Sequence, residues 1–121
     1  MDTPKTIQKL LDQTQNPRDQ MILLMGAYTG MSAKELALLT AEEASRLADT
    51  PIFKPVRDQV LDYIQALPPQ NKGLMFRSQT YGGKLDRTTL FRIISAAKAG
   101  QGYPPGGVRI LQMLHEQLQN T

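Results

Sequence analysis

Residues 72–121 carry seven basic side chains, Lys72, Arg77, Lys84, Arg87, Arg92, Lys98 and Arg109, against only Asp86 and Glu116 on the acidic side. The first 71 residues carry seven basic and nine acidic side chains. A balance of +5 beside one of −2 is what a protein presenting one side to a polyanion would show. Four of these cations crowd into Leu74 to Ala97, around a glycine turn and the start of a helix. Asp86 suits the N-cap of that helix, because its carboxylate can accept from free backbone N–H groups of the first turn. Basic side chains beside a helix N-terminus make a place where phosphate binds. The same stretch equally fits a solvated loop between two core elements.

Other chemistry finds little support. No P-loop, H-E-x-x-H or G-x-S-x-G pattern occurs. Tyr81-Gly82-Gly83-Lys84 is too short to cradle a nucleotide. Glu35, Asp58 and Asp62 could serve as acid and base only if they met, and carboxylates on helix faces are ordinarily solvated. The single His115 lies beside an apolar stripe, as a boundary residue would. There is no cysteine, so no disulfide and no thiolate metal site, and no cofactor is expected. Met21, Met25, Met31, Met75 and Met113 fit a packed core.

The elements that must hold these residues read as follows. Thr3-Pro4 reads as an N-cap with proline at the first helical position, opening a first helix that carries Ile7, Leu10 and Leu11 and ends near Gln15. Asn16-Pro17 opens a second, whose MILLMGAY is apolar nearly all round and belongs in the middle of a core. Gly30 ends it. Ser32 with Glu35, and Thr40 with Glu43, are two capping-box patterns for two short helices at an angle. The pair could be a helix-turn-helix, but AEEASRLA starts acidic and would repel DNA phosphates. Thr50 to Phe53 suggests a short strand. Pro55 starts a helix bearing Val56, Val60, Leu61, Ile64 and Leu67, stopped by Pro68-Pro69. After a turn at Asn71 to Gly73, Leu74 to Phe76 suggests a second strand, and the helix from Asp86 buries Leu90, Phe91, Ile93, Ile94 and Ala97. The loop Gly100 to Gly107 leads to a last helix with Val108, Leu111, Leu114 and Leu118 inward. This is one domain, 1–121, mainly α with a minor two-strand element. Lacking a membrane-length apolar run or a signal-peptide pattern, it is expected to be soluble and cytoplasmic.

At this point the order of motifs resembles the catalytic domain of tyrosine recombinases, the phage-integrase family, over about residues 15–115. Tyr28-Thr29-Gly30-Met31-Ser32-Ala33-Lys34-Glu35-Leu36 is similar to the family's T-G-L-R-x-x-E-L segment. Pro51 to Val56 with the following helix is similar to its strand and helix after a β-hairpin. Leu74 to Ile94 is similar to L-F-x-S-x-x-G-G-x-L-S-x-x-T-x-x-R-x-I. Gly106-Gly107-Val108-Arg109 falls where the family has H-x-x-R. The resemblance implies a recombinase-like helical fold, but its active site carries over mostly as losses. The first arginine falls on Ser32, the lysine hairpin has no room before Phe53, and the histidine is replaced by Gly106. Only Arg109 matches, as the second arginine. Tyr28, Tyr63, Tyr81 and Tyr103 lie in no motif resembling the nucleophile's. Strand cleavage needs a nucleophile, cations on the scissile phosphate and a proton donor together.

The expectation is therefore a non-catalytic, shortened relative from a mobile element such as a phage or plasmid, holding duplex DNA. Arg77, Lys84, Arg87, Thr88, Thr89, Arg92 and Arg109 would contact it, flanked by Lys54, Arg57 and Lys98. Arg87 or Arg92 could reach base edges if their helix lies along the major groove. The alternative is an adaptor without DNA contact. The resemblance implies C-terminal helix exchange between protomers, so the loop Gly100 to Gly107 and the last helix would bind a second copy or a partner protein. That reading requires Leu111, Leu114 and Leu118 to be free of the chain's own core.

Overall fold

The computed structural model describes residues 3–67, 73–77, 85–99 and 107–120. Among them the chain is mainly α. Its helices are α1 (Thr3–Leu11), α2 (Pro17–Thr29), α3 (Ala33–Leu38), α4 (Ala41–Ala48), a 3-10 helix (Pro51–Val56), α5 (Arg57–Gln65), α6 (Arg87–Lys98) and α7 (Arg109–Gln119).

The fold is built around α2, as its all-round apolar sequence requires. Asn16 caps it by accepting from the backbone N–H of Arg18 at 2.9 Å, and Pro17 occupies the first turn, where a missing N–H costs nothing. Every residue from Met21 to Tyr28 is buried. Gly30 closes the helix in the left-handed region, φ 72°, where its N–H reaches Gly26 at 2.8 Å. Helix α7 lies against α2. A side chain on Gly26 would collide with Leu111, and one on Gly30 with the His115 ring. These two contacts are one turn apart on each helix and in the same order, so α2 and α7 run parallel. Gln112 Nε2 donates to the Gly30 carbonyl at 3.2 Å beside them. Helix α1 packs on α2 and α7, α6 on α1 and α3, and α5 with the 3-10 helix on α4.

Both expected strands are replaced. Thr50 to Phe53 enters the 3-10 helix, in which the Phe53 N–H donates to the Thr50 carbonyl at 3.1 Å. Pro51 and Pro55 lack the N–H a ladder needs and hold φ near the helical value, so a tight helix is the available conformation. The helix expected from Pro55 accordingly starts at Arg57. Leu74 to Phe76 is no strand either: among the described residues Leu74 alone forms a bridge, an isolated antiparallel one with Thr40. The Ala41 N–H donates to the Gly73 carbonyl at 2.7 Å and the Met75 N–H to that of Leu39 at 2.9 Å. Met75 and Phe76 then enter the core fully buried.

The first helix stops at Leu11 rather than near Gln15. Gln20 Nε2 takes the Leu11 and Thr14 carbonyls at 3.3 and 2.9 Å, fixing the turn that follows. Thr3 is that helix's first residue, not its cap. Phe53 stacks on Tyr28 at 5.5 Å between ring centres, and Phe76 on Tyr63 at 6.2 Å. Met21, Met25 and Met75 are buried, and Met31 and Met113 pack partly buried against that core.

The stripe of α7 is internal. Leu111 and Leu114 are buried with Ile110, and Leu118 packs against the same core. The docking face that an adaptor would need on this helix is occupied by the chain itself. Among the described residues, no helix is long and apolar enough to cross a membrane. The Pro68-Pro69 stop, the Gly82-Gly83 turn and the loop from Gly100 to Gly106 lie outside the described residues.

Candidate nucleic-acid interface

Helix α6 is set by its cap and its buried face. Asp86 Oδ1 accepts from the Thr89 backbone N–H at 2.6 Å. That bond, the Thr89 side chain and the positive charge of Arg92 hold the Asp86 carboxyl below its ordinary range. Leu90, Ile93, Ile94 and Ala97 are buried. The 3.6-residue repeat then turns Thr88, Arg92, Ser95, Ala96 and Ala99 to solvent, and all five are exposed.

Arg87 and Phe91, one turn apart, lie on the flank of this helix. The exposed Arg87 places its guanidinium carbon 5.0 Å from the centre of the Phe91 ring, in cation–π range. The ring also lies against Gly107, where an added Cβ would overlap it. Gly107 leads through Val108 into Arg109, the exposed first residue of α7. Phe91 therefore holds the start of α7 against the flank of α6 that carries Arg87. Arg87, Arg92 and Arg109 form no ion pair or hydrogen bond with any described residue, though Arg92 lies close enough to Asp86 to act on its charge.

The other named residues are placed elsewhere. Arg77 is half-buried, and its carbonyl accepts from Arg18 Nη1 at 3.0 Å, at the N-terminal end of α2. Lys98 sits half-buried in the last turn of α6, about 16 Å of helix from Arg87. Lys54 and Arg57 belong to a different neighbourhood, the 3-10 helix and α5 beside α4. Arg57 is engaged there by Asp49 at 3.2 Å and Asp58 at 3.9 Å. Thr88 is exposed and Thr89 half-buried in the first turn of α6. Lys84 lies outside the described residues.

Sequence reasoning placed Phe91 on the buried face and missed its role as the platform under Arg87. The Arg-x-x-x-Phe spacing was the available signal, since residues four apart on a helix are neighbours. Burial raises the pKa of Tyr28, and pushes that of Tyr63 up to about 12. Both phenols stay protonated near neutrality, and the Tyr63 hydroxyl donates to the Met75 carbonyl at 3.3 Å. Among the described residues, no group of three or more acidic or imidazole side chains could hold a metal ion.

Exposed guanidinium groups in this arrangement can attract and position an anion. No protein-family model, curated protein or solved structure matches the chain.

Proposed function

We propose that the chain is a non-catalytic DNA-binding protein that holds duplex DNA through the basic surface where α6 and α7 begin. The observation that carries this reading is that Arg87, Arg92 and Arg109 are exposed and unpaired among the described residues, while Phe91 joins the two helix starts. Unpaired arginines are free to displace counterions from phosphates, the main source of affinity for duplex DNA. Thr88 and the partly buried Thr89 lie in the first turn of α6; Thr88 adds an exposed hydroxyl beside them, and the Thr89 side chain, bonded to Asp86, would contribute once that bond is exchanged for one to phosphate. On the outer face of α6, the side chains next to Arg92 are short. A helix of that profile fits a major groove about 12 Å wide, with Arg92 as the side chain long enough to reach a base edge. Lys84, Arg77 and Lys98 would extend the phosphate contacts. Lys54 and Arg57 contribute less, because they lie in a different neighbourhood and Arg57 is engaged by Asp49 and Asp58. The recombinase-like scaffold and a setting in a mobile element belong to the same proposal, supported by the order of sequence motifs alone.

The test is a fluorescence-anisotropy titration with a duplex of about 25 base pairs at two salt concentrations. Micromolar binding whose affinity falls steeply with salt is the expected result. No binding at low salt, where nonspecific attraction is strongest, would overturn the reading.

A further inference from the structure

On α3 and α4 the protein carries a second surface, with the opposite chemistry. We propose that the groove between them is a docking site for a basic amphipathic helix of a partner protein. Leu38 is the one large apolar side chain that stands exposed among the described residues, at 43 %. It lies in a groove with the half-buried Met31, which continues past Met31 to the half-buried Leu47. Two adjoining depressions share Met31 and Glu43, so the apolar floor is continuous over both helices. A groove floored by leucine and methionine accepts an apolar helix face and adapts to it.

Charge selects the occupant. Glu35, Glu42 and Glu43 stand along the groove. Arg46 also lines it but is matched within the rim by Glu42 at 3.5 Å, leaving Lys34 as the remaining cation. The rim is thus net negative on a chain whose overall charge is +3. Such a rim disfavours DNA and acidic segments, and it favours a helix with lysine or arginine beside its apolar stripe. The site is separate from the arginines of α6 and α7 and does not depend on them.

The test uses a fluorescent peptide of about 15 residues built from leucine and lysine, with leucines on a single helical face. Controls are a permuted peptide of the same composition without that face, and a leucine–glutamate peptide with it. The lysine peptide should bind the full chain, with affinity falling as salt rises. Leu38→Ser should weaken it about tenfold by removing the exposed anchor. Glu42→Gln should weaken it less and flatten the salt dependence. Neither exposed substitution should move the melting temperature by more than about 2 °C. Equal binding of the permuted or the glutamate peptide, or unchanged binding by Leu38→Ser, would overturn the proposal, as would absence of binding by the lysine peptide.

Discussion

Helices α3 and α4 and the paired starts of α6 and α7 use the same local device to opposite ends. In each region a side chain caps a helix. Ser32 and Glu35 cap α3 reciprocally, at 3.2 and 3.0 Å. Thr40 accepts from the Glu43 backbone at 3.1 Å at the start of α4, and Asp86 performs the same task for α6. The surroundings differ. Around α4, carboxylates outnumber cations and the nearby arginines are held: Arg46 by Glu42, Arg57 by Asp49. At the starts of α6 and α7 the one carboxylate among the described residues is committed to the cap, and three arginines remain exposed. Surface ion pairs add little stability. What the pairing changes is the field each region presents, and therefore which macromolecule it attracts.

The largest expected effect comes from neutralising the basic side. Arg87→Gln with Arg92→Gln should weaken duplex binding about tenfold or more at low salt. It should also flatten the salt slope by about 0.9 for each phosphate that is no longer neutralised, with the thermal melting temperature nearly unchanged. Unchanged DNA affinity in that double variant would remove the functional difference between the two regions. Asp86→Ala splits the two readouts: losing the cap should lower the melting temperature, while losing the nearby negative charge should tighten DNA binding wherever the protein stays folded. Falls in both would mean that the ordered start of α6 matters more than its charge.

On the acidic side, Ser32→Ala removes a reciprocal cap and should cost about 1 kcal/mol in denaturant unfolding without affecting DNA affinity. Glu42→Gln breaks an exposed pair and should change stability by no more than about 0.5 kcal/mol.

The smallest effect is a pH response common to both regions. The carboxyls of Glu35 and Asp86 are held below 4.5 and 3.8, their ordinary values, by the hydrogen bonds they accept, with the backbone N–H groups contributing most. Their capping contribution is complete above those values and is lost as pH falls through the lower folded-state ones. Helical signal should therefore decline in that acid range. Asp86→Asn, which caps without ionising, should retain more of it.

The sequence alone determined the locally encoded features. The N-caps at Asn16, Ser32, Thr40 and Asp86 follow from side-chain reach over a single turn, and α2 was legible as the core helix because it has no polar face. The charge contrast between the halves was also readable, since it needs only counting. Two strands were misread because short apolar runs carry no period of their own. Prolines decided the first, and for the second the described residues supply only Thr40 as a partner. Tertiary structure alone decided which cations stay unpaired and where the last helix puts its stripe. Gly26 and Gly30 let α7 lie close along α2, so Leu111 and Leu114 are buried there instead of meeting a partner. Phe91 meets Gly107 only in the folded chain, and that contact brings the segment leading into α7 beside the flank of α6 that carries Arg87. Such proximities join residues far apart in the chain, and no local preference encodes them.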